Sequence, residues 1–519
     1  MQVEEFLEAT ARRFPDKIAV AAGEHRLTYA ELTSRVRRLA GGLVKAGVGR
    51  GERVAIVLEN SVDAVVAIFA VLKAGAVFVM LNPTIKSEKL TGVLNNCRGA
   101  ALIAYARTVE ALRAGGHETP HLRVVVLAGS EPARPGPDLP RLLAWDALVR
   151  PEQDSAIPGP KCIDVDLAAL LYTSGSTGKP KGVMMTHLNL TSITQSIITY
   201  LELTSDDTIL NVLPLSFGYG LTQVLMSAFM GCTLILERSF AYPAAILDRM
   251  TKERVTGFPL VSSISAILLQ MDLRKWDLSR LRYITSAAAM LPVEHIRKLR
   301  ELLPHMKIYS MYGLTECMRV TYLPPEQIDI RPSSVGKGMP NEQVYIVDEK
   351  GEEVGPGVTG ELVIRGSNVM KGYWEAPEET ARALRDGPYP WEKVLYSGDL
   401  FRMDEEGYLY FVARKDDIIK TRGEKVSPRE VEDVLYGLPE VAEAAVVGVP
   451  DEILGSAIKA VLTLRNGATL SEQTVQRYCR EHLEDFMVPK FVEFREELPK
   501  TTSGKIARRE LGVSGGSSS

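Results

Sequence analysis

Thr173-Ser174-Gly175-Ser176-Thr177-Gly178-Lys179-Pro180-Lys181 is the stretch on which the reading of this chain turns. It concentrates hydroxyl side chains, two glycines and two lysines in one short segment. Leu167-Ala168-Ala169-Leu170-Leu171-Tyr172 enters it as an apolar run of strand length, and Gly182-Val183-Met184-Met185 carries apolar chain away. Glycines let backbone N–H groups turn towards an anion, Ser and Thr hydroxyls donate to phosphate oxygens, and lysines add positive charge. Strand, loop and apolar chain together are therefore a candidate phosphate cradle. It is not a Walker A loop, because Pro180 follows Lys179 where that pattern needs Ser or Thr. A Ser/Gly-rich stretch by itself reads as a surface loop, so the rest of the chain has to decide.

On the N-terminal side, strands and helices alternate. Thr28 with Glu31 forms a capping box, after which Leu32, Val36, Leu39 and Leu43 fall on one helical face and Gly47 sits at the C-cap. Arg53–Leu58 reads as a buried strand, Asp63–Gly75 as a helix and Ala76–Met80 as a strand, with further strands at Ala101–Ala104 and Val124–Leu127. The Pro-rich stretch Glu131–Pro140 reads as a loop. On the C-terminal side of the cradle, Thr208–Leu213, Thr233–Leu236 and Tyr283–Thr285 are short strands. Alternation at this spacing predicts α/β layers with parallel sheets.

Composition changes near Gly407. Tyr408–Val412 is a strand, followed by the charged run Arg414-Lys415-Asp416-Asp417. Pro428–Tyr436 (helix), Ala442–Val449 and Ala457–Leu464 (strands) and Ser471–Leu483 (helix) then make an α+β unit of about 100 residues, the modal domain size. The expected division is a large core over 1–412, a small mobile C-terminal domain over 413–513 and a flexible tail over 514–519.

The 519 residues are 45% hydrophobic and 24% charged, with 61 basic against 65 acidic side chains and a net charge of −4. That balance disfavours a nucleic-acid partner. Five scattered cysteines without a CxxC pair suggest neither a disulfide framework nor a zinc site. Met1-Gln2-Val3-Glu4-Glu5-Phe6 has no basic or apolar leader pattern. The longest apolar run, Ala64–Leu72, falls short of the roughly 20 residues that span a bilayer. No integral membrane segment and a cytoplasmic location are expected.

Two more short motifs carry chemistry. Tyr312-Gly313-Leu314-Thr315-Glu316 follows a strand at Lys307–Met311 and offers a ring, a hydroxyl and a carboxylate. Such a set suits an adenine face, a phosphate and Mg²⁺, which takes one or two carboxylates together with phosphate oxygens. Tyr396-Ser397-Gly398-Asp399 reads as a turn carrying one acid, able to accept from both vicinal hydroxyls of a ribose.

Taken in order, the cradle, Tyr312–Glu316, Gly360-Glu361-Leu362, Tyr396–Asp399, Arg414–Lys420 and Thr502-Ser503-Gly504-Lys505 resemble the adenylate-forming superfamily of acyl-CoA synthetases, adenylation domains and luciferases. The resemblance runs from about Phe6 to Leu511. It implies that Thr173, Ser174, Gly175, Ser176, Thr177, Gly178, Lys179 and Lys181 hold the β,γ-phosphates of ATP. Tyr312 would stack on adenine, Thr315 contact the α-phosphate and Glu316 hold Mg²⁺. Asp399, with Arg414, would bind the ribose. Asp416 would be the hinge, and Lys505 would reach from the small domain to the carboxylate and α-phosphate. Lys420 and Gly423 would belong to the face presented for thioester formation, with Gly423 lining the passage for the thiol.

Departures from the family pattern narrow the acid. Amino-acid-activating domains carry Phe-Asp where this chain has Phe217-Gly218, and a buried ammonium without that acid would be costly. The usual Gly-Gly-Ala-Pro is Ala287-Ala288-Ala289-Met290 here. Phe217, Gly218, Tyr219, Phe258, Val261, Ala288 and Met311 are the candidate acid pocket, small or apolar for the most part. The acid expected from them is aliphatic or aromatic and neutral apart from its carboxylate. The function implied is an AMP-forming acyl-CoA synthetase using ATP, Mg²⁺ and CoA. The alternative is an acyl-AMP ligase that loads the phosphopantetheine of an acyl carrier protein.

Overall fold

The computed structural model describes residues 1–129, 141–150, 162–173, 181–288, 290–415, 417–421, 424–451, 455–501 and 506–512. The expectations for 131–140, Ser174–Lys179, Ala289, Asp416, Gly423, Lys505 and the tail lie outside the described residues.

Among the described residues, an eight-stranded sheet runs in the order Gly372–Tyr373, Lys181–Thr186, Leu167–Thr173, Val77–Met80, Arg53–Val57, Gly99–Tyr105, Val124–Ala128, Arg141–Ala144. From Leu167–Thr173 outward to Arg141–Ala144 every pairing is parallel. A nine-stranded sheet has Lys307–Tyr312, Tyr283–Ser286, Gly257–Leu260, Thr208–Asn211, Thr233–Leu236 and Ile18–Ala22 as its parallel centre. A third sheet, antiparallel, holds Glu342–Val347, Gly360–Gly366, Lys393–Met403, Leu384–Asp386 and Leu409–Arg414.

Helix Val62–Lys73 shows why the layers hold. Val62 and every residue from Ala64 to Leu72 are buried, because the helix meets strands of both large sheets. A helix apolar all round needs such a position, and each fully buried aliphatic side chain contributes about 2 kcal/mol. Helix Tyr29–Lys45 buries one stripe only, including Leu32, Val36, Leu39 and Leu43, and starts at the Thr28/Glu31 capping box. Gly47 follows it at φ +93°, the left-handed region where glycine costs least.

Beyond residue 419 the chain builds separate sheets, a short hairpin (Ile419–Thr421 with Glu424–Val426) and a three-stranded sheet (Val441–Asp451, Gly455–Leu464, Phe491–Phe494). Helices Pro428–Leu435 and Glu472–His482 close over a separate core that includes Val431, Leu435, Val446, Ile458, Val475 and Cys479. Against the large part of the chain it places Tyr436 edge-on to His295, at 6.3 Å between ring centroids, and Arg429 donates to Met290 Sδ at 3.2 Å.

One local expectation is corrected. Tyr396–Asp399 is not a turn but part of the continuous strand Lys393–Met403. Gly398, at φ +70°, produces an irregularity in that strand, and its register against Gly360–Gly366 slips between Glu361 and Val363. A bulge leaves the strand intact and re-aims one side chain. Composition alone cannot separate that from a turn, since both use glycine.

Candidate active site

The candidate phosphate cradle is flanked by an antiparallel pair of strands. Leu167–Thr173 and Lys181–Thr186 run side by side with Thr173 opposite Lys181, so the stretch between them starts and ends at neighbouring positions at one end of the pair. On its other side Lys181–Thr186 pairs with Gly372–Tyr373, Tyr373 opposite Val183. The ammonium of Lys181 lies over the Tyr373 ring, 5.6 Å from its centroid. The Tyr373 hydroxyl donates to Glu316 Oε1 at 2.7 Å. The base of the cradle and the carboxylate expected to hold Mg²⁺ are thus tied through one tyrosine. Burial pushes the Tyr373 hydroxyl up, and the Glu316 charge adds to that, so the phenol stays a donor.

Glu316 sits in a turn just beyond the strand Lys307–Tyr312. Its backbone carbonyl accepts from Met370 N–H at 2.8 Å. Asn368, buried next to it, donates to the carbonyls of Cys317 and Arg319 at 3.1 and 3.0 Å. The segment from Asn368 to Tyr373 therefore fixes both the backbone and the side chain of the Tyr312–Glu316 motif. Thr315 lies half-buried in the same turn.

The second cluster joins three strands. Tyr312 ends its strand and donates its hydroxyl to Asp399 Oδ2 at 2.6 Å. Arg414 Nε donates to Asp399 Oδ1 at 3.0 Å. Phe401 meets the Tyr312 ring edge-on at 4.8 Å. Glu361 accepts from Gly398 N–H at 3.0 Å and from the Lys415 ammonium at 3.1 Å, which holds the bulge that aims Asp399. Burial, then the Asp399 charge, holds the Tyr312 hydroxyl well above its ordinary value.

Among the acid-pocket candidates, the structure brings most but not all together. Phe217 is the N-cap of helix Gly218–Met230 and packs edge-on against Tyr219. Tyr219 is buried, with its hydroxyl 2.6 Å from Thr285 Oγ1. Met311 accepts from the Tyr200 hydroxyl at 3.1 Å. A side chain at Gly218 would meet Met318 at 3.5 Å. Ala288 has φ +76°. Phe258 does not share this face. It is registered with Ile284, one residue out of step with Thr285, and strand side chains alternate. With Ile284, Leu247 and Met250 it lines an apolar core gap on the opposite side of the sheet. Val261 caps helix Ser262–Leu268 just past that strand. Lys420 lies on the hairpin strand Ile419–Thr421.

Three contributors escaped the sequence reading. Tyr373 and Asn368 act through tertiary contacts that no local pattern announces. Arg319 did leave a signal, as one charged residue inside the apolar run Cys317-Met318-Arg319-Val320; it is buried with its guanidinium over the Tyr219 ring at 4.8 Å.

The described residues contain no cluster of three or more His, Cys, Asp or Glu that could hold a metal. Among them no helix is long and apolar enough to cross a membrane.

The family model described as AMP-binding enzyme matches residues 7–374, and that of the AMP-binding enzyme C-terminal domain matches 430–505. A long-chain-fatty-acid–CoA ligase of Bacillus subtilis is 33% identical over 98% of this chain and 94% of its own. A feruloyl-CoA synthase of Amycolatopsis sp is 37% identical over 96% of both. Among solved structures, an anthranilate CoA ligase in complex with anthranoyl-AMP superposes with a TM-score of 0.89 at 26% identity, covering 98% of this chain and 96% of that one. ATP-bound MatB from Rhodopseudomonas palustris gives 0.86 at 29% identity, over 99% and 98%. With its ordered motifs, its large α/β core followed by a small α+β unit, and matches along nearly its whole length, the chain belongs to the AMP-binding enzyme family, the adenylate-forming superfamily of AMP-dependent CoA ligases.

Proposed function

We propose that this chain joins a non-amino carboxylic acid, with an aliphatic or aryl skeleton, to CoA while ATP is cleaved to AMP and pyrophosphate. The observation that carries the reading is the convergence of Tyr312, Asp399 and Arg414 on one side of the Tyr312–Glu316 motif, with Glu316, Tyr373 and Lys181 on the other. Those groups suit the nucleoside end and the phosphate end of one ATP.

In the first step a carboxylate oxygen attacks the α-phosphorus and the bond to pyrophosphate breaks. Two anions must approach, so positive charge is needed where negative charge builds. Lys181 and the cradle would hold the β,γ-phosphates. Thr315 and Lys505 would address the α-phosphate, and Asp399 with Arg414 would fix the ribose. Glu316 suits a magnesium ion, because Oε1 is oriented by Tyr373 while Oε2 makes no hydrogen bond among the described residues. Mg²⁺ commonly takes few protein carboxylates and fills its shell with phosphate oxygens and water. Bound there with ATP, the ion would offset phosphate charge.

In the second step the CoA sulfur attacks the acyl carbon, the acyl–phosphate bond breaks, and AMP leaves. We place the hinge at Asp416, between a core over 1–412 and a small domain over 413–513, with Lys420 and Gly423 on the face that receives the thiol. Product analysis tests the acceptor: acyl-CoA should form from acid, MgATP and CoA. Thioester appearing only on a phosphopantetheinylated carrier protein would overturn that choice.

The acid preference rests on the helix start at Phe217-Gly218, where no carboxylate stands ready to pair with a substrate ammonium. α-Amino acids should therefore be poor substrates, because an ammonium buried without a partner is penalised.

A further inference from the structure

Arg319 stands out among the bulkiest fully buried side chains because it is a cation, 2% exposed. Among the described residues its Nε makes no hydrogen bond and no carboxylate forms an ion pair with it. Glu342, a buried carboxyl nearby in the chain's packing around Asn368, does not serve. Asn368 donates to its Oε1 at 3.2 Å, and burial holds it well above the usual carboxylate range.

Arg319 lies between the Tyr312–Glu316 motif and the helix that starts at Gly218. Its backbone passes directly behind Gly313, where an added Cβ would meet Arg319 Cα at 2.9 Å. From there the side chain crosses to the first turn of helix Gly218–Met230 and lies on the Tyr219 ring, 4.8 Å from its centroid. Tyr200, whose hydroxyl reaches Met311, is also within its influence: burial pushes that hydroxyl up to about 12, and the Arg319 charge works against the rise. Gly218, Tyr219 and Met311 are candidates for the acid pocket, and the guanidinium lies against one of them, Tyr219.

A desolvated cation over an aromatic face recovers about 2 kcal/mol. Removing a charge from water without an opposite charge costs several kcal/mol. The surroundings thus leave Arg319 short of an anion, and its planar fork matches a carboxylate in a two-point contact. The carboxylate that is adenylated cannot be that anion throughout, because it loses its charge on forming the mixed anhydride. A guanidinium paired with it would favour the ground state over the transition state. A second acidic group on the substrate keeps its charge through both steps.

We propose that Arg319 is a specificity-determining residue that receives a second anionic group on the acid, remote from the carboxylate being activated. The substrate class is a dianionic acid, in simplest form a dicarboxylate. This rests on the acyl-CoA synthetase reading and replaces the expectation of an acid neutral apart from its carboxylate.

Acid-dependent exchange of pyrophosphate into ATP tests it, on pairs of acids matched in length and shape. Each pair has one member ending in a carboxylate and one ending in a methyl group, in aliphatic and aryl series. The wild-type enzyme should favour the dianion by about 10²–10³ in kcat/KM, the scale of losing one partner of a buried charge pair. Arg319→Met should reverse the preference, and Arg319→Lys should keep part of it, with the KM for ATP as the control. Neutral acids used as well as or better than dianions by the wild-type enzyme would overturn the proposal while leaving the synthetase reading intact. That wild-type comparison decides even if Arg319→Met fails to fold. Exchange with no acid of either kind would overturn the synthetase reading, and this proposal with it.

Discussion

Tyr312 donates its phenolic hydrogen to Asp399 across 2.6 Å, and through that bond two distant strands share one functional corner. Tyr312 is the last residue of Lys307–Tyr312, in the nine-stranded sheet; Asp399 follows a bulge in Lys393–Met403, in the antiparallel sheet. The acid is held from two sides, since Arg414 takes its other oxygen. The two contacts orient the acid from opposite sides.

Tyr312→Phe keeps the ring and removes the donor. A hydrogen bond to a charged group is worth about 1.5–3 kcal/mol, so kcat/KM for ATP should fall roughly 10- to 100-fold by that principle. Asp399→Ala should cost more, because it strands both Tyr312 and Arg414. Steady-state kinetics with ATP varied would check this; an unchanged kcat/KM for ATP in both variants would remove the corner from the nucleotide site.

Tyr373→Phe tests the link between cradle and carboxylate. Without its donor, Glu316 Oε1 is no longer oriented. Partners that orient a metal ligand are typically worth about 10- to 100-fold. The variant should need more Mg²⁺ for half-maximal rate at fixed ATP, with little change in thermal stability. An equal loss at all Mg²⁺ concentrations would mean that Tyr373 does not act through Glu316.

How much of this was legible in the sequence depends on where each constraint resides. The capping box at Thr28/Glu31 and the all-apolar helix Val62–Lys73 are local, and periodicity reveals them. The alternation around Arg53–Val57 and Val77–Met80 likewise gives the α/β class. The bulge at Gly398 was misread as a turn because glycine serves both; the difference lies in Glu361, a residue of another strand. Phe258 is apolar like the other pocket candidates, which is all the sequence shows of it; strand parity sets it on the face opposite Thr285, to which Tyr219 bonds. Tyr373 and Asn368 act across long sequence separations, which a single sequence does not expose. Arg319 is visible as a charge in an apolar run, yet only the fold shows that no acid among the described residues pairs with it.

Ala288 sits at φ +76° in the stretch that departs from the family's glycines. A non-glycine residue in that region costs about 1–2 kcal/mol. Ala288→Gly should relieve part of it and stabilise the protein by up to about 1 kcal/mol, less glycine's greater entropy when unfolded. It should also admit bulkier acids, because the proposed pocket wall loses a methyl. Thermal denaturation and the acid panel would show both effects; a clear loss of stability would contradict the strain.

Glu4 supplies a pH dependence. It is 3% exposed, neither carboxylate oxygen has a hydrogen-bond partner among the described residues, and burial raises it from 4.5 to about 7. Its neighbour His187 accepts Val3 N–H at Nδ1, so the 3.6 Å approach of Glu4 to that nitrogen is not an ion pair. Burial lowers His187 from 6.5 to about 4. Between pH 4.5 and about 7 the folded chain keeps a proton on Glu4 that the unfolded chain has lost, so stability from this group is full at the acid end and falls as pH rises. His187 has the opposite slope, its contribution being lost as pH falls from 6.5 towards 4. Glu4→Gln should therefore leave only the rising His187 limb and gain about 3 kcal/mol at neutral to alkaline pH, an order-of-magnitude figure. Denaturant melts across that range would check it; a variant that tracks the wild type at every pH would show that Glu4 does not carry the effect.

The central claim is that the corner at Tyr312, Asp399 and Glu316 activates a carboxylate by adenylation. Acid-dependent exchange of labelled pyrophosphate into ATP, measured without CoA across aliphatic and aryl acids, tests it most directly. Exchange should require both an acid and a divalent cation and fall by about 10²–10³ in Lys505→Ala, the usual cost of losing a group that stabilises developing charge. Exchange that no acid stimulates, or that Lys505→Ala leaves unchanged, would contradict it.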